Sequence, residues 1–124
     1  MKNIYVPHSN SFDFKKELYE PIRKSYLDKE YNFVLPHEDS EKLFNSKEYL
    51  RSCDLVIAEV SYPSTGLGIE LGWANLYKVP IVCIYKTGFK LSNSLKAVCN
   101  SFIEYTNSQD MISKIALSIP NLQK

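Results

Sequence analysis

A chain of 124 residues with 15 basic and 14 acidic side chains carries a formal charge of +1, which excludes the strong positive field that a nucleic-acid polymer or an anionic membrane surface calls for. With 44% apolar and 13% aromatic residues it can build one core and has no room for a second, so residues 1–124 are read as a single domain. Cys53, Cys83 and Cys99 form neither a C-x-x-C pair nor an even set, and no apolar run approaches the roughly 20 residues of a membrane span; with Met1 running straight into a strand-like segment, this predicts a soluble cytoplasmic protein whose cysteines are small core residues.

Residues 2–6 read as a short strand. Phe14, Leu18, Ile22 and Tyr26 recur at every fourth position and predict a helix over residues 13–29, which Pro21 kinks or breaks because proline lacks an N–H and crowds the preceding turn. A second strand at 33–35 leads into a loop at 36–40, and Asn45 or Ser46 can cap a helix to about residue 52. Residues 55–60, apolar except for Glu59, show no alternation, as in a strand of a parallel sheet covered on both faces. A helix over 68–77, a strand over 81–85, a Ser92-capped helix through about 98, a strand over 102–105 and an Asn107-capped helix ending before Pro120 complete the pattern. Strand and helix alternate throughout. The predicted fold class is α/β, a flavodoxin-like (Rossmann-like) three-layer sandwich on a five-stranded, mostly parallel sheet.

In such sheets ligands bind beyond the carboxyl ends of the strands, near the point where strand order reverses. The loops that follow the strands hold His8, Ser9 and Ser11, then His37, then Ser61 to Gly66, then Lys86 to Ser92. His8 and His37 are candidate proton carriers because imidazole titrates near neutrality, although two loop histidines need no functional reason. No H-x-x-x-H, H-x-E or C-x-x-C is present, so neither a metal nor a cofactor is predicted.

The stretch "SYPSTGLGIELGWA", residues 61–74, holds three of the four glycines. Gly66 and Gly68 are expected to turn the chain tightly and let a ligand approach the backbone, with the N–H groups of a helix start facing an anion. The spacing is neither a Walker A loop nor G-x-G-x-x-G. Glu70 follows in the first turns of the helix, and Glu59 ends a buried strand at the same rim. Two carboxylates in one cleft can divide the work of cleaving a glycosidic bond, though Glu59 is read first as an acceptor for loop N–H groups. Trp73 is read as a core or interface aromatic, and Tyr62 as a residue placed to stack a base.

Residues 54–74, "DLVIAEVSYPSTGLGIELGWA", resemble the signature of the nucleoside 2-deoxyribosyltransferase superfamily, and most of all its branch of 2'-deoxynucleoside 5'-phosphate N-hydrolases, the Rcl-like enzymes. The shared letters are an apolar strand, Ala-Glu-Val, Pro-Ser, Gly-x-Gly and Glu-Leu-Gly. The resemblance implies that Glu70 is the nucleophile on the anomeric carbon, that Tyr5 lies near the sugar, and that Ser9 and Ser64 hold the 5'-phosphate. It implies that Ser92 reaches a phosphate across the interface of a homodimer. The implied activity is hydrolysis of the base–sugar bond of (2'-deoxy)nucleoside 5'-monophosphates; a deoxyribosyltransferase, or a non-catalytic nucleotide-binding or sensing module of the same fold, fits the same residues. Two positions depart from the pattern. Pro7-His8 replaces a glycine before Ser9, and Ser46 stands where the family places a second catalytic aspartate, for which Glu48, Asp39 and Glu38 are the nearby substitutes.

Overall fold

The computed structural model describes residues 1–39 and 46–122. Strands β1 (Asn3–Tyr5), β2 (Asn32–Val34), β3 (Leu55–Glu59), β4 (Ile81–Lys86) and β5 (Phe102–Tyr105) form one sheet in the order β2-β1-β3-β4-β5, with every neighbouring pair parallel. Its helices are α1 (Glu20–Lys24), α2 (Leu27–Glu30), α3 (Ser46–Ser52), α4 (Thr65–Leu76) and α5 (Ser108–Leu122), with a short 3-10 helix at Asn93–Ala97.

The lack of alternation in the strands follows from burial on both faces. Ile4, Leu55, Ile57, Val82 and Ile84 face one layer, where they meet Leu18, Ile22 and Leu27 together with Met111, Ile115 and Ile119 of α5. Tyr5, Val56, Ala58, Ile81 and Cys83 face the other, against Leu50 of α3 and Leu67, Leu71 and Ala74 of α4. This is the flavodoxin-like sandwich expected, with a sheet that is wholly parallel. Strand order reverses between β1 and β3, so the loops after these two strands diverge and leave a crevice. Among the described residues no helix is long and apolar enough to cross a membrane, and all three cysteines are free and buried.

Several local readings change. The first helix does not break at Pro21. A π-helical turn at Lys15–Tyr19 runs into α1, where Pro21 sits in the first turn and its missing N–H costs little. The break comes at Ser25, which is extended and whose Oγ and N–H both donate to the carbonyl of Ile22. That break shifts the helical phase, leaving Tyr26 58% exposed instead of in the core stripe. At the other end α5 continues through Pro120 to Leu122, and the Met111, Ile115, Ile119 stripe anchors the helix ahead of the proline. Asn107 caps α5 as expected, its side chain accepting from the Asp110 N–H.

Helix α4 starts at Thr65, three residues earlier than predicted, because Ser64 caps it by accepting from the Leu67 N–H at 3.2 Å. Gly66 and Gly68 therefore lie inside the first helical turns and do not make the tight turn. That role falls to Gly88, with φ of 88°. The Ser92 side chain caps nothing, and the segment after it is a 3-10 helix of five residues. The alternative cap Asn45 lies outside the described residues.

Candidate active site

A cleft of about 780 Å³ opens at the reversal point, a size within the roughly 300–1,000 Å³ usual for small-molecule sites. The β1 loop contributes His8, Ser9, Asn10 and Ser11, and the β2 loop Pro36 and His37. Ser46 and Lys47 open α3; Ser64, Gly66, Glu70 and Trp73 lie along α4, and Tyr5 closes the floor.

Tyr5 is fully buried at the end of β1 and its hydroxyl donates to Oε2 of Glu70. Burial, then the Glu70 carboxylate, push the phenol far above its ordinary range, so it stays protonated and serves as a donor. A hydrogen bond from the Ser46 side chain opposes that shift. Ser46 is thus buried in the cleft beside the Tyr5–Glu70 pair. Of the nearby carboxylates, Glu38 is tied to Arg23 at 2.7 Å, and neither it nor Asp39 nor Glu48 lines the cleft.

Ser9 is buried; its Oγ donates to Ser11 Oγ at 3.0 Å and accepts from the Ser11 N–H at 3.1 Å. Ser64 spends a lone pair on its cap, which leaves its O–H free to donate. The cleft therefore has a hydroxyl-rich end at the start of α4, where the helix also aims N–H groups. A Cβ added at Gly66 would meet nothing within 4 Å, so the openness there is room for a ligand. Gly68, on the exposed side of α4, does not line the cleft.

His8 belongs to the frame. The Ser9 carbonyl can only accept, so Nδ1 carries the proton at 2.8 Å from it, and Nε2 accepts from the Tyr19 hydroxyl at 2.6 Å. The Tyr19 oxygen in turn accepts from the His37 N–H at 3.1 Å. Burial, assisted by His37, lowers the His8 pKa to about 4. The unfolded chain then binds a proton more readily than the folded one as pH drops below 6.5, so stability is complete above 6.5 and falls toward pH 4. The expected loss is roughly 2–4 kcal/mol across that window. Urea denaturation of wild type and His8→Gln at pH 7 and pH 4.5 checks this; equal pH slopes in the two proteins would overturn it.

His37 also lines the cleft, half-buried, with its ring 5.9 Å from that of His8. Glu59 lies outside the cleft and fully buried: Oε1 accepts from the Ser61 N–H at 2.7 Å, and Oε2 from Ser61 Oγ at 3.0 Å and from the Tyr105 hydroxyl. It is the acceptor for loop donors that its position suggested. Tyr62 does not face the cleft. It stacks on Phe12 at 5.0 Å and donates no surface to a ligand there, because Lys86 and Phe89 close over it. Ser92 is exposed and away from the cleft. Among the described residues no three His, Cys, Asp or Glu side chains converge as metal ligands do.

No family model matches the chain. A 5-hydroxymethyl-dUMP N-hydrolase of Tetraodon nigroviridis is 36% identical over 72 residues, which are 55% of this chain and 51% of that protein. A Syntrophotalea carbinolica protein, provisionally named 2'-deoxynucleoside 5'-phosphate N-hydrolase 1, is 42% identical over 40 residues, 32% of this chain and 28% of its own. Nucleotide N-hydrolases are homologues of this chain. It spans about half the length of the first and less of the second. A solved structure of a Clostridium botulinum CMP N-glycosidase superposes with a TM-score of 0.67 at 21% identity, over 93% of this chain and 99% of that one, and so shares the fold.

Sequence reasoning missed Lys47, and it missed that Trp73, which packs against the core as expected, also lines the cleft. Trp73 had a usable signal: it lies three residues after Glu70, which puts both on one face of α4. Lys47 had none, since its reach into the cleft depends on how α3 packs against α4.

Proposed function

We propose that the protein is an N-glycosidase that hydrolyses the base–sugar bond of (2'-deoxy)nucleoside 5'-monophosphates. The observation that carries this is the Glu70 carboxylate held in the cleft by the buried Tyr5 hydroxyl, with Ser9, Ser64 and the open start of α4 at one end. The names of the homologues support the same chemistry.

In this reading the hydroxyls of Ser9 and Ser64 and the first N–H groups of α4 receive the phosphate, for which the open backbone at Gly66 leaves room. Glu70 attacks the anomeric carbon with the oxygen not engaged by Tyr5, and the C–N electron pair leaves with the base. His37, the cleft histidine whose ring is not locked as that of His8 is, delivers a proton to the base. Water then cleaves the glycosyl–enzyme ester. No cofactor is needed. Transfer of the sugar to an acceptor base, a deoxyribosyltransferase reaction, differs only in what replaces the water.

The assay is release of free base from a panel of deoxy- and ribonucleoside monophosphates, followed by chromatography. Saturable binding without release by wild type would support a nucleotide-binding module instead, for which Ser46 in the place of a carboxylate is the favouring observation.

A homodimer is part of the proposal, with Ser92 contributed across the interface, in a cytoplasmic setting that the three free cysteines support. Ile69 and Leu76, 48% and 71% exposed on α4, supply an apolar face for such contact. Sedimentation should give a dimer; a monomer at tens of micromolar concentration would remove Ser92 from the site.

A further inference from the structure

Helix α4 acts as a ruler along the cleft. At a rise of about 1.5 Å per residue, Glu70 stands roughly 9 Å beyond the Ser64 cap, and Trp73 roughly 4.5 Å beyond Glu70. The anion-binding end, the carboxylate and the indole therefore follow one another in the order phosphate, sugar and base. Beside the indole is Lys47, whose Nζ lies 5.7 Å from the Trp73 ring centroid. Among the described residues that line the cleft, Lys47 is the only lysine or arginine, and its place beside Trp73 sets it roughly 13 Å along α4 from the Ser64 cap.

A lysine that bound phosphate would be expected at the other end. We propose that Lys47 and Trp73 form the seat of the leaving base, and that the Lys47 ammonium takes up negative charge on a carbonyl oxygen of that base as its bond to the sugar breaks. The inference rests on the hydrolase reading and adds a residue and a substrate class to it. As Glu70 bonds to the anomeric carbon, the C–N pair moves into the base ring and onto the carbonyl beside the glycosidic nitrogen. An ammonium donating to that oxygen is worth more in the transition state than before it. The proton reaches the base afterwards and water completes hydrolysis, so no other reactant is required. The class of base favoured is a pyrimidine with its 2-carbonyl oxygen, in either sugar series. Trp73 supplies the flat apolar wall for the ring.

The test compares uracil and 5-fluorouracil nucleoside monophosphates, the fluorinated base being the better anion, in the sugar series that wild type hydrolyses. Lys47→Met should lower kcat/KM for the uracil nucleotide about 100-fold and for the fluorinated one about tenfold or less, while Lys47→Arg stays within a few fold of wild type. Equal losses on both substrates, or no loss, overturn the role of Lys47. Turnover of purine nucleotides without turnover of either pyrimidine overturns it too and leaves the hydrolase reading intact. A second measurement is independent of turnover, because Trp73 is the single tryptophan of the chain. Uridine monophosphates should quench its fluorescence saturably, with weaker affinity in Lys47→Met. Absence of quenching by nucleotides that the wild type hydrolyses overturns the seat. If no nucleotide is hydrolysed, the hydrolase reading and the leaving-group role fall together, and Lys47-dependent quenching alone upholds the seat.

Discussion

Replacing Glu70 by glutamine is expected to cut base release from a nucleoside monophosphate by about a thousandfold or more while leaving nucleotide affinity within a few fold. The amide has the shape of the carboxylate and can still accept from Tyr5, so the cleft keeps its form. What it loses is the anionic oxygen. Tyr5 explains why only one oxygen is in play: its hydroxyl, protonated by virtue of burial and of Glu70 itself, occupies Oε2. The serine end lies two turns away on α4 and is untouched by the change. Chromatographic rates and the quenching of Trp73 separate the two effects. A Glu70→Gln protein that retains more than about a tenth of the wild-type rate would remove Glu70 as the nucleophile.

The largest expected effect on stability lies outside the cleft, at Glu59. Its carboxylate is fully buried, and burial pushes its pKa up while the Tyr105 and Ser61 donors pull it down. Removing it leaves those donors without an acceptor and opens a void where β3 meets the loop to α4. Glu59→Ala should therefore lose about 3–5 kcal/mol of unfolding free energy, and Tyr105→Phe about 1–2 kcal/mol. Urea titrations at pH 7 measure both. A Glu59→Ala loss below about 1 kcal/mol would show that the donors find water instead. Because Ser61 Oγ also accepts from the Lys86 N–H at 2.8 Å, the lesion should reach β4 as well.

Much of this architecture was legible in the sequence because strand burial leaves a strong trace. Unbroken apolar runs such as 55–58 mark a sheet covered on both sides, and the Glu70 motif lies where the parallel-sheet rule places ligands. What escaped were features set by geometry between elements. Pro21 looked like a helix breaker, yet a π-helical turn absorbed it and the break moved to Ser25. The glycines before Glu70 looked like a turn, yet the Ser64 cap drew them into the helix and left Gly88 with the positive φ. Tyr62 looked available for stacking, but Phe12, 50 positions earlier in the chain, already covers it. Only the packing of α3 against α4 could reveal Lys47 above Trp73.

The cluster around Tyr62 has a consequence for how a ligand is met. Phe12 and Tyr62 stack at 5.0 Å, Lys86 lies over both rings at 4.8 and 4.9 Å, and its ammonium also reaches Glu17 at 2.5 Å. Phe12 follows Ser9 and Ser11, and Tyr62 precedes Ser64, so this contact sets the spacing between the two serine loops during folding. The ordering entropy of those loops is then a charge on folding and not on binding. On the proposed reading, a phosphate meets serine loops whose spacing the Phe12–Tyr62 contact already holds.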